Sequence, residues 1–142
     1  MDVILWRHAD AEDGKPDLER ELTPKGHEQA ARVAKWLREH LPSPFSVVAS
    51  PALRAQQTAA ALGVQVEIDK ALAPGASVEQ ILAAVNAKKN VVIVGHQPDL
   101  GRAVAHLVAG VRSEWHIEKG GFWWLTVEAP VAVRAVLSPD LL

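Results

Sequence analysis

The order of the apolar segments is the feature that most restricts the fold of this chain. Short, fully apolar runs alternate with longer stretches whose apolar residues recur at helical spacing, from the N-terminus to about residue 108. This alternation is typical of an α/β protein with a mostly parallel central sheet, arranged as a three-layer α/β/α sandwich. No linker or internal repeat divides the 142 residues, so we expect a single domain over residues 1–142.

Four apolar runs are predicted as the parallel strands, and they cover residues 3–6, 45–49, 64–68 and 90–94. Helices are expected from Thr23-Pro24 through residue 41, from Ser50-Pro51 to about residue 62, over residues 77–87, and from Pro98 through residue 108. Because Thr23 and Ser50 each precede a proline, both are predicted to cap a helix. The tail alternates over residues 115–117, 122–127 and 131–137, which predicts antiparallel edge strands.

The charge and composition of the chain exclude several function classes. The formal net charge is −2, so no nucleic-acid or membrane-surface binding is expected, and an anionic ligand must be attracted by a local basic cluster. The chain has no cysteine, which excludes disulfides and thiolate metal sites. No run is long enough to span a bilayer, and the N-terminus lacks a signal-peptide pattern. We therefore expect a cytoplasmic protein. The oligomeric state stays open, with a monomer favoured.

Basic side chains follow three of the predicted strands. The first strand ends at Arg7-His8, the second leads to Arg54 on an early helical turn, and the fourth ends at Gly95-His96. Because the carboxyl ends of parallel strands share one edge of a sheet, these residues are expected to meet in one crevice. Arginine offers a planar fork to phosphate oxygens, and a neutral imidazole can attack phosphorus. The pattern predicts a phosphate pocket.

Four short motifs resemble those of the histidine phosphatase superfamily, the phosphoglycerate mutase-like proteins. They are Arg7-His8-Ala9, Leu22-Thr23-x-x-Gly26-x-x-Gln29-Ala30, Ser50-Pro-x-x-Arg54-Ala-x-Gln57-Thr58 and Gly95-His96. The resemblance covers about the first two-thirds of the chain. Small size and the segment 72–75 are most similar to the SixA-type phosphohistidine phosphatases. Ala9 departs from the glycine that is usual in the superfamily's Arg-His-Gly motif.

The resemblance implies a role for each motif residue. His8 is expected to be the nucleophile and to form a phosphohistidine intermediate. Arg7 and Arg54 are expected to bind the phosphoryl oxygens and neutralise charge in the transition state. His96 is expected to donate a hydrogen bond to the same oxygens, and Gln97 is a further candidate for substrate binding. The basic side chains supply the positive charge, so no metal and no cofactor are expected.

The identity of the proton donor stays open. Larger members of the superfamily carry a glutamate downstream of the second arginine, and no glutamate matches it in residues 68–74. An alcohol oxygen leaves poorly without a proton, whereas phosphohistidine can leave as neutral imidazole if its other ring nitrogen is protonated. This gap favours a phosphoramidate substrate. Asp10, Glu12 and Asp99 are the candidate proton donors if one is needed.

Three functions are compatible with these residues. The first is a metal-independent phosphatase that removes phosphate from phosphohistidine on a signalling or phosphocarrier protein. The second is a phosphatase of a small phosphomonoester metabolite, and the third is a non-catalytic phosphate-binding protein. The expected partner is therefore a phosphorylated protein or a small phosphorylated substrate.

Overall fold

A six-stranded sheet forms the centre of the computed structural model, which describes residues 1–142. The strands are β1 (Asp2–Arg7), β2 (Ser46–Ala49), β3 (Val66–Ile68), β4 (Val91–Gly95), β5 (Phe122–Thr126) and β6 (Ala132–Leu137). Their order across the sheet is β3-β2-β4-β1-β5-β6. The first four are mutually parallel, while β5 and β6 are antiparallel. The mostly parallel sheet with antiparallel edge strands is confirmed.

Four helices cover the two faces of the sheet. They are α1 (Pro24–His40), α2 (Leu53–Ala60), α3 (Val78–Asn86) and α4 (Asp99–Ala109). Successive side chains of a strand point to opposite faces, and β1 shows the result. Ile4 and Trp6 pack in the apolar layer beneath α1 and α2, whereas Val3 and Leu5 pack in the layer beneath α3 and α4. The three-layer prediction is confirmed. None of the helices has the length and apolar character needed to cross a membrane.

The two predicted helix caps have different outcomes. Thr23 caps α1 as expected, because its Oγ1 accepts a hydrogen bond from the Gly26 backbone N–H at 2.9 Å. The prediction for Ser50 is wrong, since α2 begins three residues later, at Leu53. Ser50 lies in the turn between β2 and α2, where its Oγ accepts from the Ala52 N–H at 3.1 Å. The same Ser50 Oγ also lies within hydrogen-bond distance of His96 Nε2.

The predicted strand at residues 115–117 is also wrong. Residues 111–118, here called the strap, contain no strand or helix and pass over the N-terminal half of α4. Two strap carbonyls bond to side chains instead of a neighbouring strand. The Trp115 carbonyl accepts from Gln97 Nε2 at 2.9 Å, and the Ile117 carbonyl accepts from Arg7 Nη1 at 2.8 Å. A Cβ atom on Gly101 would lie only 1.9 Å from the Trp115 oxygen, so the close approach requires glycine there.

Candidate active site

Side chains from three parallel strand ends meet in one cavity of about 220 Å³. His8 follows β1, His96 follows β4, and Arg54 lies in the first turn of α2. The two imidazole rings have centroids 5.1 Å apart, and Arg54 Nε lies 3.4 Å from His8 Nε2. The lining residues are Arg7, His8, Ala11, Arg20, Arg54, Pro74, His96, Gln97 and Lys119. The structure therefore brings together all five residues expected to act directly on a phosphoryl group.

The hydrogen bonds of His8 determine which of its ring nitrogens is free. Nδ1 lies 2.8 Å from the Ala9 carbonyl oxygen. A carbonyl can only accept, so Nδ1 carries the proton of the neutral ring and Nε2 presents a lone pair. Burial lowers the pKa of His8 from 6.5 to about 4; the Ala9 hydrogen bond opposes this shift, and the charges of Arg54 and Arg7 add to it. His8 is thus neutral at physiological pH, with Nε2 unprotonated beside a guanidinium group.

His96 is held by Ser50. The His96 side chain is buried, and its Nε2 lies 2.8 Å from Ser50 Oγ. Burial, followed by the nearby His8 and Arg54, lowers the pKa of His96 to about 3. When the Ser50 hydroxyl donates to Nε2, the ring proton resides on Nδ1, where it can be donated to an anion. Ser50 was not among the predicted site residues. It follows β2 directly, as His8 follows β1 and His96 follows β4, and that shared position is a signal in the sequence.

The two predicted arginines are held by different parts of the chain. Arg54 is buried and donates from Nη1 to the Asp17 backbone oxygen at 2.8 Å and from Nη2 to Asp17 Oδ2 at 3.1 Å. Arg7 donates from Nη1 to the Ile117 carbonyl of the strap. Arg7 Nε is buried and has no protein partner. In both arginines the terminal Nη atoms are therefore bonded to other parts of the chain, through Nη1 in Arg7 and through Nη1 and Nη2 in Arg54.

Two further cations line the cavity, and sequence reasoning did not assign them to the site. Arg20 donates from Nε to the Glu12 backbone oxygen at 2.7 Å and from Nη1 to Asp17 Oδ1 at 3.1 Å. Lys119 Nζ lies 3.1 Å from Asp10 Oδ1. Arg20 lies in the long polar loop and Lys119 precedes two glycines, so neither belongs to a periodic pattern.

The three carboxylates considered as proton donors do not line the cavity. Asp10 accepts from Thr23 Oγ1 at 2.7 Å and pairs with Lys119. Glu12 is exposed. Asp99 is buried, and its Oδ2 accepts from the backbone N–H groups of Gly75 and Ala76 at 2.9 and 3.2 Å. The structure therefore does not bring these carboxylates together with His8.

Gln97 lines the cavity with much of its hydrogen-bonding capacity already used. Its Oε1 accepts from the Gly101 N–H at 2.7 Å, and its Nε2 donates to the strap.

No group of three or more histidine, aspartate or glutamate side chains is placed to hold a metal ion. What the cavity offers a ligand is guanidinium, ammonium and imidazole nitrogen, which suits a tetrahedral oxyanion.

Residues 3–74, half of the chain, match the sequence profile of the histidine phosphatase superfamily, branch 1. The chain belongs to this superfamily. Phosphohistidine phosphatase SixA of Escherichia coli strain K12 is 32% identical over 122 residues, which span 78% of this chain and 76% of that protein. Family membership and the cavity together support phosphatase activity on a phosphorylated substrate.

Two solved structures resemble the whole chain. The protein histidine phosphatase SixA in complex with tungstate superposes with a TM-score of 0.87, at 26% identity and 99% coverage of both chains. A putative phosphohistidine phosphatase SixA from Nakamurella multipartitia has a TM-score of 0.84 and 33% identity, and the match covers 97% of this chain and 95% of that one. The likeness includes the C-terminal third, which lies outside the matched profile.

Proposed function

We propose that the protein removes phosphate from phosphohistidine residues of another protein, with His8 as nucleophile. One observation carries the proposal: the unprotonated Nε2 of His8 lies beside Arg54, in a cavity lined by cations and by no carboxylate. The names of the similar proteins, phosphohistidine phosphatase and protein histidine phosphatase, support the same substrate class.

In the first step, His8 Nε2 attacks the phosphorus atom, and the bond from phosphorus to the substrate's ring nitrogen breaks. The electron pair leaves with the substrate imidazole, which departs neutral if its other nitrogen carries a proton. Arg54 and Arg7 hold the phosphoryl oxygens as charge spreads over them, and His96 donates a hydrogen bond. One phosphorus–nitrogen bond is exchanged for another, so the step requires no acid from the protein.

In the second step, water attacks the phosphoryl group on His8. The bond from phosphorus to Nε2 breaks, orthophosphate departs, and a water proton passes to a phosphate oxygen or to solvent. Because Nδ1 keeps its proton through the bond to the Ala9 carbonyl, His8 also leaves as a neutral imidazole. The release of phosphate from His8 therefore needs no proton donor, for the same reason as the release of the substrate's histidine: a neutral imidazole is the leaving group in both steps.

The positions of Asp10, Glu12 and Asp99 outside the cavity support phosphohistidine over an alkyl phosphate. An alkoxide leaving group requires a proton donor, and such donors contribute about 10²–10⁴-fold to the rate. A small phosphomonoester metabolite and simple phosphate binding without turnover are the rival functions, and the assay below separates them.

The test compares a phosphohistidine-carrying domain, labelled on phosphate, with a panel of sugar phosphates, glycerol phosphate and phosphoserine. The expected result is a kcat/KM for the phosphohistidine protein that exceeds every phosphomonoester by about 100-fold or more. A chelator in a parallel reaction is expected to leave the rate unchanged. Equal or faster release from any phosphomonoester would overturn the substrate proposal, and binding of phosphate without release would favour the non-catalytic reading.

A further inference from the structure

A single carboxylate joins two arginines of the cavity. Asp17 lies on the short 3₁₀ turn Asp17–Glu19 of the long polar loop. Its Oδ2 accepts from Arg54 Nη2 and its Oδ1 accepts from Arg20 Nη1, each at 3.1 Å. Arg54 and Arg20 both line the cavity, whereas Asp17 does not. Asp17, whose side chain is largely exposed, therefore pairs with two cavity-lining arginines without lining the cavity itself.

The geometry of the guanidinium group explains what this contact leaves free. Arginine has five N–H hydrogens in a fixed plane, and these form two forked edges. Asp17 takes the edge formed by Nη1 and Nη2 of Arg54, through its backbone oxygen and its Oδ2. The other edge, formed by Nε–H and the second Nη2 hydrogen, points toward His8, since Nε lies 3.4 Å from His8 Nε2. An oxyanion beside His8 can therefore use a forked edge that Asp17 does not occupy.

The positive charges around the cavity give such an anchor a physical role. Two guanidinium groups and an ammonium group face the same small volume as Arg54, and like charges at close range repel. A carboxylate shared between Arg54 and Arg20 opposes that repulsion. The hydrogen bond from Arg20, with a further contribution from Arg54, holds the pKa of Asp17 below its usual range, so Asp17 stays ionised at neutral pH.

We propose that Asp17 is a positioning residue, which fixes the Arg54 guanidinium so that its Nε–Nη2 edge faces His8 and the phosphoryl group. This inference rests on the proposed function for the identity of the cavity, but it concerns the arginine and can be tested with an oxyanion alone. A rival role makes the opposite prediction: if Asp17 competed with phosphate for Arg54, its removal would strengthen anion binding.

The test measures tungstate binding by titration calorimetry and phosphohistidine turnover for the wild type and for Asp17→Asn. The matched control is Asp13→Asn, which removes the same charge from a fully exposed side chain of the same loop. Asp13 Oδ1 lies 4.0 Å from Arg20 Nη2, and the ion pair of Arg54 is with Asp17, not with Asp13. Asp17→Asn is expected to weaken tungstate binding and to lower kcat/KM by about tenfold each, and Asp13→Asn to change neither by more than about twofold.

A double-mutant cycle asks whether Asp17 acts through Arg54. Lysine cannot present a forked edge, so in an Arg54→Lys background the effect of Asp17→Asn on kcat/KM is expected to fall below about twofold. Tungstate binding by Asp17→Asn that is unchanged or tighter than in the wild type would overturn the proposal, as would a full tenfold effect in the Arg54→Lys background. Failure of the wild type to release phosphate from phosphohistidine, with tungstate binding still weakened by Asp17→Asn, would overturn the proposed function and leave this inference standing.

Discussion

The parallel and the antiparallel parts of the molecule contribute different kinds of group to the site. In the parallel part, the residue directly after β1, β2 or β4 presents a reactive or hydrogen-bonding side chain: His8, Ser50 and His96. The C-terminal part presents mainly main-chain atoms. The carbonyls of Ile117 and Gly121 accept from the side chain and the backbone N–H of Arg7 at 2.8 and 2.9 Å. The parallel part therefore supplies most of the reactive side chains, and the C-terminal part fixes Arg7 mainly through backbone carbonyls.

Gly120 is a second example of a C-terminal residue that contacts the end of β1 through its backbone. Its backbone N–H donates to the His8 carbonyl at 3.1 Å, and its carbonyl accepts from Trp6 Nε1 at 2.8 Å. The end of β1, with Arg7 and the following His8, is therefore fixed by a segment more than a hundred residues away in the chain. Substitutions in the parallel part are expected to reduce activity beyond any loss of stability, whereas those that move the strap are expected to reduce both together.

The largest effect is expected for His8→Ala. Loss of the nucleophile removes the covalent route, and turnover is expected to fall by about 10⁴-fold or more while the melting temperature stays close to that of the wild type. The measurement is initial rate, together with alkaline quenching after incubation with a labelled phosphodonor. Labelled, acid-labile phosphate is expected on the wild type and absent from the variant. Undiminished turnover by His8→Ala would exclude covalent catalysis at this residue.

Ser50→Ala is expected to have the next largest effect. The substitution removes the partner of His96 Nε2 and of the Ala52 N–H, both buried, at a cost of about 1–3 kcal/mol. Turnover is expected to drop by about tenfold, because the tautomer of His96 is no longer fixed. Ser46→Ala, at the other end of β2, is the control and should behave as the wild type. If thermal unfolding changes but the rate does not, Ser50 has only a structural role.

Gly101→Ala tests the strap. The added Cβ would lie 1.9 Å from the Trp115 oxygen, so the strap must move, and the expected destabilisation is about 1–3 kcal/mol. A shift of the strap also moves the Ile117 carbonyl that holds Arg7, and kcat/KM is expected to fall severalfold.

Gly110→Ala is the matched control for that experiment. Gly110 ends α4 with a φ of +64°, and a Cβ there meets no other atom. Its substitution is expected to cost about 1 kcal/mol of stability through backbone strain and to leave kcat/KM unchanged. A wild-type rate in Gly101→Ala, despite lower stability, would contradict the orienting role of the strap.

The pH dependence of stability provides a further prediction. His8 and His96 have pKa values near 4 and 3 in the folded protein, below the ordinary 6.5 of an unfolded chain. Between pH 6.5 and about 4 the unfolded chain binds more protons at these positions, so their contribution to stability is present above pH 6.5 and is lost as the pH falls. Denaturant unfolding across this range is expected to show a shallower loss for His8→Gln. His106→Gln, exposed on α4, should keep the full slope.

Much of the parallel part could be predicted from sequence, for a physical reason. Apolar runs identify buried strands, and the carboxyl ends of parallel strands share an edge, so Arg7, His8, Arg54 and His96 could be placed together from their positions alone. Ser50 has the same position, but a serine before a proline is also typical of a helix cap. The distinction depends on where α2 begins, and helix boundaries are poorly specified by local sequence.

The orienting contacts could not be predicted in this way. Asp17 pairs with Arg54, 37 residues away in the chain, from a short 3₁₀ turn, and no periodic pattern marks either Asp17 or Arg20. Residues 115–117 alternate as a strand does, yet the carbonyls of Trp115 and Ile117 bond to the Gln97 and Arg7 side chains. Backbone acceptors have no sequence signature, because every residue carries one.

The bond between His8 Nδ1 and the Ala9 carbonyl has a consequence for the chemical identity of the intermediate. Histidine can carry phosphate on either of its two ring nitrogens, which gives two positional isomers. In His8, Nδ1 holds a proton that it donates to the Ala9 carbonyl, so Nδ1 cannot attack phosphorus. Under the proposed mechanism, His8 can form only the 3-phospho isomer, on the ring nitrogen remote from the backbone. Phosphorus NMR of the trapped enzyme would therefore show one resonance, whichever isomer the donor protein carries.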